Sequence, residues 1–578
     1  MPITLDPPSR SQSSRPLKFL SYSALITTFV TLFLYVSSNL ETLTNSTTNT
    51  AIPPNPYTNV VKLRPSGSRS HELLTDPEYR EKSIRYLSGA VQIPTEVFDD
   101  SIAPEKDLSQ WTHFLELHKY LESTFPLVFN TLKVEKINKL GLIITYEGTN
   151  PDLLPLIFTG HQDVVPVDGD TLDRWEHGPF SGYYDGKFMY GRGTSDTKSL
   201  VIGHFEVWQL LLEKGYKPKR TMVLSLGYDE ETIGRYDGAL SLVSVLKKRY
   251  SNGIYALIDE GSGVNKLHVE DQSVNRYLAM PGTVEKGYMD VFFELYVKGG
   301  HSSSPYDHSG IGILSELVRS IELDPYEYSL TAENPVLDYL CYLGDVDGLV
   351  MEGIDNVDKL KWSFRNARYN QEAHDLTLEY LSKHPSLRNL IRTTQAIDMF
   401  HAGLKINVIP EYLKLGINHR LSLDWTTEDI IERLVTKAKK IAEQFDLNLY
   451  LNNGTVISEN ALVSNHLNVS WEQPLNSSPI SPSNDRTWSV LAGAIKSTFE
   501  DSLLPENSTV DVVPFLVGGY TDSSRYYALG NNIYRFTGHT KEFRSMHAIN
   551  EMIEFDGHLE TVGFFYDYVL AVNEFDSE

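Results

Sequence analysis

The sequence predicts an α/β protein, on three observations. Apolar runs of strand length (Leu142 to Tyr146, Leu153 to Phe158, Thr221 to Leu226, Ile254 to Ile258) alternate with helical stretches (Ser199 to Glu213, Gly238 to Tyr250), the pattern of a mainly parallel sheet flanked by helices. A β-α-β-β-α-β pattern, the signature of a ferredoxin-like unit, interrupts the first between residues 287 and 455. Histidines and carboxylates collect where the strand-like runs end, which is where open α/β sheets place their sites.

The N-terminal segment stands outside both patterns. Phe19 to Leu40 has no charged residue and follows Arg10, Arg15 and Lys18. A stretch of about 20 apolar residues spans a bilayer, and this one is longer and bulkier than the core of a cleaved signal peptide, so it is expected to be a single transmembrane signal anchor. The basic flank keeps residues 1–18 cytosolic and sends the rest to a lumen or the exterior, a type II single-pass arrangement. Glu41 to Pro56, rich in Thr, Asn, Ser and Pro, opens a flexible stalk expected to run through residues 41–75. Sequons at Asn45, Asn453, Asn468, Asn476 and Asn507 suit a glycosylated lumenal face.

Beyond the stalk, Pro77 to Val97 and Ser109 to Phe125 read as helices, the second with Trp111, Phe114, Leu115, His118 and Leu121 along one face. They open the first part of the main domain, residues 76–286. The interrupting unit, a lid over residues 287–455, reads as strand Tyr288 to Val297, helix Gly310 to Ser320, strands near Lys405 to Val408 and Leu413 to Asn418, helix Thr427 to Phe445 and strand Asn448 to Leu451. An insertion, 323–399, lies between its first helix and second strand. The main domain resumes over 456–578. The 578 residues, 41% apolar, are enough for several cores. A net charge of -25 excludes nucleic acid and an anionic membrane surface as ligands, because both repel such a protein. The single cysteine, Cys341, allows no internal disulfide.

The ligand-type residues form an ordered series: His161 and Asp163, Asp196, Asp229-Glu230-Glu231, Asp259-Glu260 and His547. Imidazole and carboxylate together suit zinc, manganese or cobalt, and a shared carboxylate holds two ions about 3.5 to 4 Å apart. His161 and Asp163 lie two apart on a strand end and point to one face. Asp163 is therefore expected to accept the second imidazole N–H and orient His161 as a ligand. Glu230 and Glu231 alternate in direction, so they can serve different tasks.

The segments HQDVVPVD (161–168), GRGTSDTK (191–198), YDEE (228–231), IDEG (258–261), KGGHSSSP (298–305), NVIP (407–410) and SMHAINE (545–551) occur in the order and spacing of the M20 metallopeptidases. Over residues 75–578 the sequence resembles that family, and within it most of all the fungal carboxypeptidase S group. The resemblance implies a zinc-exopeptidase-type catalytic domain with an inserted lid, and two Zn2+ ions bridged by Asp196. One ion would have His161 and either Asp259 or Glu260, the other Glu231 and His547. Alternation cannot choose between Asp259 and Glu260 in a sheet covered on both faces, and Asp259 is placed first. Glu230 resembles the general base for attack by a metal-held hydroxide. His301 resembles the lid histidine that donates to the developing oxyanion. Asn407 and Arg420 resemble substrate-holding residues, the guanidinium taking a free C-terminal carboxylate, and Thr521 and Asp522 are expected to line the same pocket.

The implied function is a membrane-anchored, lumenal carboxypeptidase acting on short peptides. An N-acyl-amino-acid amidohydrolase of the aminoacylase type is the alternative, and a catalytically silent receptor or scaffold is a more distant one, disfavoured because no ligand or base is missing. The resemblance also implies a vacuolar destination, with release by cleavage in the stalk, and leaves a homodimer through the lid as a candidate assembly.

Overall fold

The computed structural model describes Tyr57 and residues 59–576, apart from 272, 352 and 453. The expected cytosolic tail, the signal anchor, most of the stalk and the sequons at Asn45 and Asn453 lie outside the described residues. Among the described residues no helix is long and apolar enough to cross a membrane.

The main sheet has eight strands. From one edge they are Lys133–Ile137, Gly141–Tyr146, Met222–Gly227, Leu156–His161, Ala256–Ser262, Ile533–Phe536, Gly282–Glu285 and Phe515–Val517. The four middle strands, Met222–Gly227 to Ile533–Phe536, are mutually parallel. Antiparallel neighbours flank them. The sheet is thus mixed, with four of its seven strand pairings parallel. Its first two strands are joined by a tight turn with Asn138 and Lys139 at positive φ, and a hairpin can only pair antiparallel.

Successive side chains of a strand feed opposite cores. Leu156 and Phe158 join the cluster under helices Lys198–Glu213 and Phe555–Phe575, whereas Ile157 joins the one under helix Gly238–Arg249. Burial on both faces explains why these strands read as unbroken apolar runs.

The lid sheet has six strands, in the order Thr394–Ala402, Tyr412–Leu421, Gly287–Tyr296, His466–Leu475, Asn448–Leu451 and Thr455–Ser458. The β-α-β-β-α-β unit is present with different members. Its second strand is Thr394–Ala402, so the segment near Lys405 to Val408 contributes only the short pairing of Val408–Ile409 with Gly300–His301. Its fourth strand is His466–Leu475, and Asn448–Leu451 is an added strand parallel to it. The lid sheet therefore continues past residue 455 to Leu475. Only Leu467 and Val469 of that last strand are buried, too faint an alternation to read. Helices Gly310–Glu322 and Thr427–Gln444 cover one face of the sheet through Ile313, Leu317, Ile430 and Leu434.

The insertion folds into helices Val336–Asp345, Val357–Asn366, Gln371–Lys383 and Pro385–Arg388. It packs on the main domain, where Leu337, Leu340 and Tyr342 meet Leu278, Val284 and Leu516. The end of the expected stalk is likewise docked. Lys62 pairs with Glu500 at 2.8 Å and Asp501 at 2.7 Å, and the hydroxyls of Ser68 and Ser70 each donate to Asp567 at 2.7 Å. Ser68 and Ser70, which read as linker, are both spent on one buried carboxylate.

Two chain crossings join lid and main domain, and they touch. Ser478 N donates to Glu285 O at 3.1 Å. A Cβ added at Gly287 would stand 2.5 Å from Leu475 O and 2.8 Å from Ser477 N, backbone atoms that cannot rotate aside. Gly287→Val should therefore destabilise the fold by about 1–3 kcal/mol, the usual cost of overpacking. A denaturant midpoint equal to that of the native protein would contradict this reading of the junction.

Candidate metal centre

His161 ends the strand Leu156–His161 and is buried. Its Nδ1 lies 3.0 Å from the carbonyl oxygen of Asp163 and 3.4 Å from that residue's Oδ1. With the ring proton on that side, the Nε2 lone pair faces Asp196 Oδ1 at 3.0 Å and Glu260 Oε1 at 3.5 Å. The hydrogen bond that orients the ring thus goes to the Asp163 carbonyl and not to the carboxylate expected from the sequence, whose Oδ1 only lies nearby. The Oδ2 of Asp163 has a second task, accepting from Glu231 N at 3.0 Å and so tying the 230–232 turn to the His161 strand.

The other oxygen of Asp196 serves the other side. Oδ2 lies 2.9 Å from His547 Nε2, which is in turn 3.1 Å from Glu231 Oε2. One carboxylate therefore stands between two groups, His161 with Glu260 and His547 with Glu231. Donor atoms of His161, Asp196 and Glu231 all lie within 4.8 Å of one another. Glu231 Oε1 and Asp163 Oδ1 are buried with no hydrogen-bond partner. Burial, with neighbouring carboxylates adding to it, pushes the carboxyls of Glu230 and Glu260 well above their usual range. Hydrogen bonding to Asp196 and Glu231 pushes the His547 imidazole up to about 10. A donor set this rich in carboxylate, with Glu231 Oε1 left unpartnered, fits two divalent cations, whose charge would offset the mutual repulsion.

Asp259, placed ahead of Glu260 on sequence, is turned away from this group. Its Oδ1 accepts from Glu260 N at 2.8 Å and its Oδ2 from Ser523 N at 3.0 Å, so both oxygens serve backbone. The geometry favours Glu260. Alternation along the strand Ala256–Ser262 puts the two on opposite faces, but which face held the site was not readable beforehand. Asp229, first acid of its run, also serves structure, accepting from Tyr236 N at 2.6 Å and Gly238 N at 3.2 Å.

The turn carrying Asp196 is clamped by a residue whose role the sequence did not disclose. Glu551 Oε1 accepts from the backbone N–H groups of Gly193 at 3.0 Å, Ser195 at 2.8 Å and Asp196 at 3.2 Å, and Arg192 Nη1 donates to its Oε2 at 2.5 Å. Gly193, at φ +91°, has room for no side chain, since a Cβ would lie 2.9 Å from Val164 Cγ1. The closeness of Glu551 to His547 in SMHAINE was the available signal.

A cavity of about 760 Å³ opens over this group, lined by Asp196, Glu230, Glu231, Glu260 and His547 on one side and by Tyr288, Phe292, Met399 and Arg420 of the lid on the other. The Arg420 guanidinium lies 4.6 Å from the Tyr288 ring centroid and forms no ion pair among the described residues. Its neighbour Asp290 is already occupied by Tyr288 Oη and Asn418 Nδ2, each donating at 2.8 Å. Thr521 lines the cavity, but its hydroxyl donates to Glu285 at 2.7 Å. Asp522, expected beside it, is fully buried, outside the lining, with neither oxygen hydrogen-bonded. His301 and Asn407 are exposed and also outside the lining. His301 Nδ1 meets Ser303 Oγ at 2.8 Å.

Residues 157–571 match the family described as peptidase family M20/M25/M40. The chain belongs to this family. Carboxypeptidase S of Saccharomyces cerevisiae is 41% identical over 521 residues, 89% of this chain and 88% of that protein. The N-fatty-acyl-amino acid synthase/hydrolase of Mus musculus is 31% identical over 491 residues, 84% of this chain and 86% of that protein. Among solved structures, an M20 family metallo-carboxypeptidase from Sulfolobus solfataricus superposes with a TM-score of 0.57 at 16% identity, covering 85% of this chain and 99% of its own, which shows the common fold. The protein is an M20-type metallopeptidase, a hydrolase.

Proposed function

We propose that this M20 enzyme is a two-zinc carboxypeptidase that releases C-terminal residues from short peptides. The observation that carries this reading is Arg420, a cation without an ionic partner among the described residues, in one cavity with the acid-rich centre. A planar guanidinium takes a carboxylate through two parallel hydrogen bonds, and a free α-carboxylate held there places the last peptide bond toward Glu230. In this reading His161, Glu260, His547 and Glu231 are the terminal ligands and Asp196 is shared.

When bound, two zinc ions would polarise the scissile carbonyl and bring the pKa of a water near 7. Glu230 lines the cavity, and its carboxylate makes no hydrogen bond among the described residues. It takes the proton from the attacking water and passes it to the leaving nitrogen. Asp163 holds the His161 ring and the Glu231 backbone, so ligand and base keep their spacing.

A second reading, hydrolysis of N-acyl amino acids, is favoured by the apolar wall of the cavity, Val165, Phe292, Met399, Ile417 and Met546. It uses the same anchor and base. Side-by-side assay of dipeptides and N-acyl amino acids separates the two.

His301 and Asn407 are read as serving the site of a second copy paired through the lid. Leu404 and Ile406, almost fully exposed at 102% and 97%, suit such a contact. The charge-free run Phe19 to Leu40 supports a lumenal, vacuolar enzyme tethered by one N-terminal span and freed by cleavage in the stalk.

Glu230→Gln should lose several orders of magnitude in turnover while keeping two metals per chain by elemental analysis. A metal-free or fully active variant would remove Glu230 from the role of base. Arg420→Ala should weaken kcat/KM for free-acid peptides by about 3 kcal/mol, the upper range for losing a charged hydrogen bond. It should also abolish the preference over C-terminally amidated peptides, and a native enzyme that treats both alike would sink the carboxypeptidase reading.

A further inference from the structure

Most hydrogen-bond donors facing the cavity are already committed. Tyr288 Oη and Asn418 Nδ2 donate to Asp290, Thr521 Oγ1 to Glu285, Thr232 Oγ1 to Asp229 O, Gln473 Nε2 to Thr232 O and Arg235 to Glu472. Tyr520 differs. It follows Gly518-Gly519, lines the cavity together with Glu230, and is only 8% exposed. Arg525 Nε donates to its hydroxyl oxygen at 3.2 Å. A guanidinium N–H can only donate, so the tyrosine oxygen is the acceptor there. Its own proton is not engaged by any described residue.

The hydroxyl is also held in place. Arg525 Nη2 donates to Ile233 O at 3.1 Å, a carbonyl in the turn that directly follows Glu230 and Glu231. A Cβ added at Gly234 would lie 3.7 Å from the Tyr520 hydroxyl, which puts that oxygen beside the same turn. A hydroxyl that accepts from a cation becomes a stronger donor through its remaining proton.

We propose that the Tyr520 hydroxyl donates a hydrogen bond to the scissile carbonyl oxygen as it becomes an oxyanion, a catalytic contact supplied by the same chain that supplies Glu230. This rests on the hydrolase reading above. Tyrosine keeps its proton throughout, and no bond to it forms or breaks. The bond strengthens as charge grows on the carbonyl oxygen, so it lowers the barrier more than it tightens ground-state binding. An oxyanion has lone pairs for more than one donor, so a lid histidine and Tyr520 can act together.

Tyr520→Phe in the metal-loaded full chain removes one oxygen and keeps the ring. Turnover should fall by about 10²-fold, the range for losing one oxyanion donor, with KM changed by no more than about threefold on the same ground. Metal content and melting temperature should stay native. A phosphinate peptide analogue, which imitates the tetrahedral state, should bind weaker in proportion to the loss of kcat/KM, while inhibition by the product amino acid should be unchanged. Native-like turnover, a loss confined to KM, or loss of metal from Y520F would each overturn the proposal. A native enzyme inactive on both peptides and N-acyl amino acids would sink the hydrolase reading itself, and this proposal with it.

Discussion

The structure is organised around crowded negative charge. Asp196, Glu230, Glu231 and Glu260 share one cavity, with His161 and His547 as their imidazole partners. Like charges this close oppose ionisation in a low-dielectric site. Divalent cations would convert that repulsion into coordination, and in the proposed reading Asp196, with one oxygen on each side, is the residue that would hold both positions. Much of the nearby structure exists to fix Asp196 and its neighbours. Glu551 gathers three backbone N–H groups of the Asp196 turn, and Asp163 ties the His161 strand to the Glu231 turn.

The scaffold explains why these groups converge. Strands Met222–Gly227, Leu156–His161 and Ala256–Ser262 are adjacent and parallel, so their carboxyl ends release Glu230, Glu231, His161 and Glu260 at one edge. The lid closes the space from above with the open face of its sheet, where Tyr288, Phe292 and Arg420 point into the cavity. In the proposed reading, metal chemistry and substrate anchoring thus sit on separate sheets that meet at the Gly287 junction.

What was legible in the sequence follows from the range of the signal. Parallel strands buried on both faces leave long apolar runs, so the central sheet and the residues at its ends could be read directly. The order of the motifs named the family, although any one of them is short enough to arise by chance. Less could be read where the deciding contact is remote. Asp259 and Glu260 separate only because Ser523, far along the chain, donates to Asp259. The closing strand of the lid, His466–Leu475, buries too few side chains to show a period of two. Tyr520 and Arg525 carried no readable role, since hydrogen-bond partners across a fold leave no local pattern, and for Glu551 the only local signal was its place in the SMHAINE segment.

The central claim is that one carboxylate, Asp196, divides two metal positions whose terminal ligands include Glu260 and not Asp259. Anomalous diffraction from zinc-loaded crystals tests it most directly. The account predicts two peaks about 3.5 to 4 Å apart, one beside His161 and Glu260 and the other beside His547 and Glu231, with an Asp196 oxygen on each. A single peak, or a first ion coordinated by Asp259 with Glu260 turned away, would contradict it.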